Sequence, residues 1–450
     1  MKTVFVVGAG PAGIYATQKL ARAGHSVFLF NRDIKPGGLA EYGIYPTKDK
    51  MKGGLRKLFG RILDMPNVAY FGHSTVASGK ALTIDLLREW NPAALVFAVG
   101  AQGTKKIGLP GEDSRGVYSA KDFVYNYNLL PPFTSQDFST GKRVAVIGMG
   151  NVMADLAHWL LVDDPNLTAE EVIVIARRGP FDTKFDRREF DYIEEYLDCR
   201  ALEDELGRIK ESIAAVGQDT AKVAEASFPA LAKPRQDPTG ARLRFRFLSS
   251  PTAIHADKDG RIERLTITEN ELVPRNGGTT ARATEKTSDL EVDTLIFAIG
   301  DIVDPTVGLP SNKGIFLTNP DQSQSEQAAY EVFDPQGAHV VKGNYVVGWA
   351  RLASEGVVGK ARYDAEQGVD HILKYLEGVS DGSTPSAAEI RASLDRKGLR
   401  PVTQDELAHL ARAEQRQAGE RGVTPFKFGI DQEMLAAIEA EKSKSGNAAA

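Results

Sequence analysis

The chain has 450 residues and a single cysteine, Cys199. One thiol excludes an intrachain disulfide, a Cys-x-x-Cys redox pair and a four-cysteine iron–sulfur cluster. Cys199 is expected to be a packed, inert thiol, and no metal ligand set is assigned. No apolar run approaches the roughly 20 residues that cross a bilayer. A large excess of charge of one sign is also lacking, with 55 basic side chains against 60 acidic ones. The formal net charge is −5, which gives no electrostatic reason to expect nucleic acid or an anionic membrane as a partner. The start, MKTVFVVGAGPAG, is basic and then apolar, but its apolar part is only Val4 to Val7 before glycine interrupts it. It reads as a first strand rather than a signal peptide, and a cytoplasmic location is expected.

What the chain does contain is two glycine turns, each between a strand and a helix. Lys2 to Val7 runs into Gly8-Ala9-Gly10-Pro11-Ala12-Gly13, followed by a helical stretch to Ala23. In this pattern Gly8 permits the tight turn and Gly10 lets the backbone approach a pyrophosphate. Gly13 lets helix and strand pack closely, and the helix N-terminus favours the anion. Arg143 to Ile147 runs into Gly148-Met149-Gly150-Asn151-Val152, then a helix, then the strand Val172 to Ala176, ending at Arg177-Arg178. Two arginines at that strand end suit a ribose 2′-phosphate, because guanidinium is planar, bidentate and permanently charged. Met153 stands where a third glycine is usual, so it should push helix and strand apart or point away between them. The first glycines lie 140 residues apart. Two dinucleotide folds in one chain imply two dinucleotides and hydride exchange between them.

Other stretches add detail. The second strand of the first unit, Ser26 to Phe30, ends in Asn31-Arg32-Asp33, where an acidic residue would bind a ribose hydroxyl. Asn31 can still donate and accept hydrogen bonds, and Asp33 is the substitute. Pro36 to Pro46 contains Gly38, Leu39, Tyr42 and Tyr45, and reads as backbone lying against a flat ring. Lys48 to Arg61 is basic and reads as a solvated helix face, with a docking patch for an acidic protein as the alternative. Ala94 to Gly100 is a buried strand ending in glycine. Arg242 to Phe247 alternates as a half-buried strand, and Arg261 to Thr268 with Thr294 to Gly300 is expected to complete a small sheet. Gly300-Asp301 looks like a flavin-contacting dipeptide, but its place at the end of the inserted domain leaves it unassigned. In Asn344 to Gly359, a strand reaches Gly348-Trp349 and a helix opens at Glu355-Gly356-Val357-Val358. Its N–H groups can face the electron-rich edge of a flavin, and Trp349 can flank a ring.

On GAGPAG at Gly8, LPGED from Leu109, GMGNVMAD at Gly148, ARRGP at Ala176, FRFLSSP at Phe245, NELV at Asn270 and NYVVGW at Asn344, the chain resembles adrenodoxin reductase and the bacterial NADPH–ferredoxin reductases like it. The resemblance covers almost the whole length. It implies an α/β fold of two Rossmann-like domains, with an NADP domain (105–334) inserted into a discontinuous FAD domain (1–104 and 335–450, with a C-terminal helical extension). It implies that Gly8, Ala9, Gly13, Leu39, Trp349, Gly356, Val357 and Val358 line FAD. Gly10, Pro11, Ala12, Asn31, Arg32, Gly38 and Gly100 join them as candidates. It implies NADPH held by Gly150, Asn151, Val152, Arg177, Arg178 and Glu189, with Gly148 in the turn. Glu355 and Gly356 fall near the nicotinamide–flavin contact. No side chain is assigned as catalytic, since the flavin carries the chemistry. The implied reaction takes a hydride from NADPH and releases single electrons to an acidic, ferredoxin-type iron–sulfur protein. Two other readings stand beside it. One is an electron-input subunit resembling the small subunit of glutamate synthase, whose cysteine-rich cluster domain is absent here. The other is a non-catalytic flavin- or nucleotide-binding scaffold, suggested by Asn31 and Met153. Departures from the family lie at Asn31, at Thr47-Lys48-Asp49, which lacks a histidine, and at Arg351 to Glu355.

Overall fold

The computed structural model describes the chain except residues 234–237, 276–277, 321–328, 353–357, 381 and 449–450, and the side chains of 445–448. It divides into two compact units. The first holds Met1–Thr104, Tyr125–Gln136 and Gly300–Ala450, and the second holds Lys105–Val124 and Asp137–Ile299.

The first unit is built on a six-stranded sheet. Its order is Glu331–Asp334, His339–Val346, Ala94–Phe97, Thr3–Val7, Ser26–Phe30, Val68–Phe71. All neighbours are parallel except the first pair. The central strands read as unbroken apolar runs, as a sheet covered on both faces requires. On one face the helix Pro11–Arg22 packs against the long helix Val358–Glu377, over a core including Val4, Val6, Leu29 and Val96. On the other face Phe5, Phe28, Phe30, Phe71 and Trp90 form an aromatic cluster. The C-terminal helices Gln404–Arg421 and Asp431–Ala448 pack together. Val402 pairs with Gly72 beyond the last strand, covering that sheet edge.

The second unit has a five-stranded, wholly parallel sheet in the order Val117–Ser119, Thr294–Phe297, Arg143–Ile147, Glu171–Ile175, Arg242–Arg246. A three-stranded antiparallel meander, Ser249–Ala256, Ile262–Arg275 and Gly278–Glu291, stands beside it. This differs from the small sheet expected of Arg242–Phe247, Arg261–Thr268 and Thr294–Gly300. Thr294–Phe297 is instead central in the parallel sheet, paired with Arg143–Ile147. Its four residues are all buried, so it belongs with the core strands.

The domain limits also differ from the sequence reading of 105–334. The second unit closes at Ile299, and residues 125–136 leave it for the first. Hydrogen bonding is the reason. Asp301–Ile302 pairs with Gly103–Thr104, and Glu331–Asp334 and His339–Val346 are strands of the first sheet. Gly300 and Asp301, set aside as part of an inserted domain, therefore lie in the first unit. No helix among the described residues is long and apolar enough to cross a membrane.

Candidate functional site

The two glycine turns are the same construction twice. The Gly8 N–H donates to the Phe30 carbonyl at 2.8 Å, and the Gly148 N–H donates to that of Ile175 at 3.0 Å. Gly8 has φ +102° and Gly148 +122°. A Cβ at Gly8 would lie 2.6 Å from the Ala98 carbonyl oxygen, and one at Gly148 2.3 Å from that of Ala298. Only glycine fits either place. Gly13 is tighter still, since an added Cβ would sit 1.8 Å from the Gly8 oxygen. Met153 occupies the matching place in the second unit and is fully buried. There the helix opens differently: both Met153 and Ala154 N–H groups donate to the Gly150 carbonyl.

Gly10 and Gly150 are the N-caps of their helices, neither helix has an acidic side chain in its first turn, and a Cβ on either glycine would meet open space. Each helix thus offers N–H groups and the positive end of its dipole to an anion, with room for it to approach. Pro11 fills the first helical position of the first turn, where its missing N–H costs nothing.

In the first unit the loop after the second strand lies directly on the glycine turn. The Gly37 N–H donates to the Ala9 carbonyl at 2.7 Å, and Gly38, at φ +49°, passes so close that a Cβ would be 3.0 Å from Gly10 Cα. Leu39 and Tyr42 pack with Tyr125, Leu130 and Phe133, and Tyr45 is buried against Tyr127, so both aromatic residues of this loop face the protein interior. Asn31 is buried and already engaged. Its Oδ1 accepts from the Ala9 N–H at 3.0 Å, and its Nδ2 donates to the Asp33 carbonyl at 2.8 Å and the Lys35 carbonyl at 3.1 Å. It works as a strut between turn and loop. Arg32, more exposed, pairs with Asp33 at 2.8 Å. Gly100 turns at φ +68°.

Trp349 supplies a specific test of fit for a flavin dinucleotide. Its indole Nε1 is buried and has no hydrogen-bond partner among the described residues. Such an orphan donor costs about 1–3 kcal/mol unless an acceptor reaches it. The preceding Gly348 is so close to the first helix that a Cβ would be 2.5 Å from the Ala12 methyl. The Gly348 N–H is held by Asp364 at 2.5 Å, and Asp364 also pairs with Arg351, whose guanidinium lies 4.3 Å from the Tyr330 ring centre. An open anion cradle beside an unsatisfied buried indole N–H fits a dinucleotide carrying a polar aromatic ring. Val358 opens the helix Val358–Glu377. Glu355, Gly356 and Val357 lie outside the described residues.

A charged latch holds the loop. Glu41, buried, receives a bidentate pair from Arg56 at 2.6 and 2.8 Å and a third contact from Lys427 at 2.9 Å. Lys427 also donates to the Asn128 carbonyl, and Lys52 donates to the Asn128 side chain at 2.7 Å. Burial alone would raise the Glu41 pKa, but Arg56, Lys35 and Lys427 overcome it and bring it down to about 2. Burial, helped by nearby Lys427, lowers Lys52 to about 7. The basic stretch Lys48 to Arg61 is therefore not one surface. The helix Asp49–Leu63 turns Lys52 and Arg56 inward with Phe59, Ile62 and Leu63, and leaves Lys50, Lys57 and Arg61 exposed at helical spacing.

In the second unit the arginine pair splits. Arg178 is tied to Asp182 at 3.0 Å, whereas exposed Arg177 has no carboxylate partner among the described residues. Buried Asn270, on the meander, holds the Arg177 carbonyl at 3.1 Å. Sequence reasoning gave Asn270 no role of its own; its signal was its place at the head of the NELV motif, within the strand Ile262–Arg275. The Asn151 side chain accepts from the Asp186 N–H at 2.5 Å, and Asp186 caps the short helix Arg187–Phe190 that carries Glu189. Val152 is exposed. The strand arginines are answered by acids, Arg244 by Glu171 at 2.7 Å and Arg246 by Glu205 at 3.4 Å.

Comparison with known proteins agrees with this construction. Residues 2–223 match the family model described as pyridine nucleotide-disulphide oxidoreductase. The chain is 30% identical over 408 residues to NADPH-ferredoxin reductase FprA of Mycobacterium leprae, covering 84% of this chain and 85% of that protein. It is 27% identical over 467 residues to human mitochondrial NADPH:adrenodoxin oxidoreductase, covering 96% and 91%. The structure of Mycobacterium tuberculosis FprA in complex with NADPH superposes with a TM-score of 0.80 at 27% identity, covering 97% of this chain and 99% of that one.

Proposed function

Since the chain belongs to the NADPH-ferredoxin reductase family, we propose that it oxidises NADPH with a bound FAD and passes single electrons to a ferredoxin-type iron–sulfur protein. The observation that carries the reading is the doubled glycine turn. One copy stands beside the buried indole N–H of Trp349 and the other beside the exposed guanidinium of Arg177, the first without a hydrogen-bond partner and the second without a carboxylate partner among the described residues. FAD, when bound, supplies the step between a two-electron hydride donor and a one-electron acceptor.

The residues then have separable tasks. The N–H groups at the Gly10 helix terminus receive a pyrophosphate, and Gly8, Gly13 and Gly38 keep the backbone close enough for it. Trp349 offers its N–H to a ring acceptor, and Asp364 fixes the turn that carries it by holding the Gly348 N–H. At the second turn Asn151 and Val152 open the anion-facing helix, and Arg177 takes the 2′-phosphate. Gly356, Val357 and Val358 remain assigned to the flavin side, with Glu189 and Gly356 on the NADPH side, as the resemblance implies. The first unit is the FAD domain in this reading and the second the NADP domain, in a cytoplasmic setting.

The purified protein is expected to be yellow and to bleach on anaerobic addition of NADPH. A protein that stays colourless and takes up no added FAD would overturn the reading. Co-purification with a large partner enzyme would favour an electron-input subunit. The exposed stripe Lys50, Lys57 and Arg61 is proposed to meet the acidic acceptor. Ferredoxin-dependent cytochrome reduction should then slow several-fold as salt rises past roughly 0.15 M, where the screening length is about 8 Å. A rate indifferent to salt would remove the stripe from the docking surface.

A further inference from the structure

The second glycine turn has a neighbour that the sequence motifs do not mark. The segment after Arg178 returns along the turn, so that the Lys184 N–H donates to the Met149 carbonyl at 3.0 Å and Lys184 forms a parallel bridge with Gly150. Two residues on, the Asp186 N–H is held by Asn151 at 2.5 Å. Between them Phe185 is anchored. Its ring stacks on Phe190 at 4.9 Å and meets Phe228 edge-on at 5.9 Å, within a cluster continuing to Phe245 and Phe247. The backbone of Lys184 is thus fastened to the turn on one side and pinned by an aromatic anchor on the other. Its side chain is exposed and has no carboxylate partner among the described residues.

The electrostatics at this spot are incomplete without such a group. A pyrophosphate brings about two negative charges, whereas a helix N-terminus offers roughly half a positive charge. Arg177 stands at the end of the neighbouring strand, and Arg178 is committed to Asp182. We propose that Lys184 is a positioning cation for the pyrophosphate of the nicotinamide dinucleotide at the second glycine turn. The assignment rests on the NADPH reading above. It separates two tasks: Lys184 recognises the phosphates that NADPH and NADH share, and Arg177 recognises the one that only NADPH carries.

The test compares Lys184→Gln and Lys184→Arg in the full-length flavoprotein, with Lys258→Gln as an exposed control from the same unit. Binding of NADP+ and NAD+ is measured by calorimetry, and kcat and KM with NADPH and NADH by steady-state reduction of ferricyanide. Lys184→Gln should weaken both dinucleotides by the same factor, about five-fold at low salt, as a rise in KM with kcat unchanged. The NADPH/NADH preference should stay as it was, and Lys184→Arg should restore most of the loss. Unchanged affinities in Lys184→Gln would overturn the proposal. So would a loss confined to NADPH, which would place Lys184 on the 2′-phosphate. A wild-type protein that binds neither dinucleotide would overturn the NADPH reading and this proposal together.

Discussion

Replacing Glu41 with glutamine is expected to destabilise the first unit by about 3–5 kcal/mol, the cost of leaving buried charge without its partner. Glutamine keeps the shape of the side chain but removes the charge that Arg56 and Lys427 share. Arg56 and Lys427 then stand near Lys52 without the carboxylate they share, and Glu414, the anion left in the group, is already paired with Lys35 at 2.7 Å. The loss should reach the glycine turn, because Glu41 follows Gly37 and Gly38, and these lie on Ala9 and Gly10. Urea denaturation should report the loss of stability, and free flavin released on dilution should report the loosened turn. A change below 1 kcal/mol would mean that the latch contributes little. The same group sets a pH dependence. Glu41 is held at about 2, below its usual 4.5, so its contribution is complete above pH 4.5 and is lost as pH falls from there towards 2. Lys52, lowered to about 7 from its usual 10.5, acts on the other side. The unfolded chain holds this proton more tightly, so stability gains between about pH 7 and 10.5. Lys52→Met should abolish that alkaline gain and leave the acid loss in place.

The second large effect is expected at Arg177. Arg177→Ala should raise KM for NADPH by about 10- to 100-fold, the worth of a lost charge-assisted contact of about 1.5–3 kcal/mol. The kcat should change little, and KM for NADH hardly at all, because NADH has no 2′-phosphate. Arg178→Ala should do less, since that guanidinium is already paired with Asp182. The double variant should approach parity between the two dinucleotides. If it kept the wild-type preference, 2′-phosphate recognition would have to reside elsewhere. Asn270→Ala offers an indirect comparison. It removes the hydrogen bond that holds the Arg177 carbonyl, and should weaken NADPH binding without removing any charge from the site.

Much of the architecture can be read from local constraints. A glycine turn between an apolar strand and a helix is a statement about backbone angles and close approach, and both are properties of neighbouring residues. Gly8, Gly10 and Gly13 therefore announce their unit, and Gly148 and Gly150 theirs. An arginine pair at the end of a buried strand is legible for the same reason. Boundaries were less so. The second unit closes at Ile299 because Asp301–Ile302 pairs back to Gly103–Thr104, a pairing that leaves no mark in either stretch.

The roles of individual charges were the least legible. In the sequence, Lys48 to Arg61 is a run of like residues. In the fold, the helical period of 3.6 residues sends Lys52 and Arg56 to one face and Lys50, Lys57 and Arg61 to another. Which face is inside depends on Asn128 and Lys427, and those two are themselves 299 positions apart. Asn31 likewise reads as a weakened ribose ligand until its amide is seen bracing the Ala9 N–H and the loop carbonyls. The residues by themselves determined that there are two dinucleotide folds and that the second ends in cations suited to NADPH. Only the tertiary structure decided which cations are free to meet a phosphate and which are locked to carboxylates. Backbone conformation is settled by near neighbours, whereas the state of a charge is settled by whatever the fold places within a few ångströms of it.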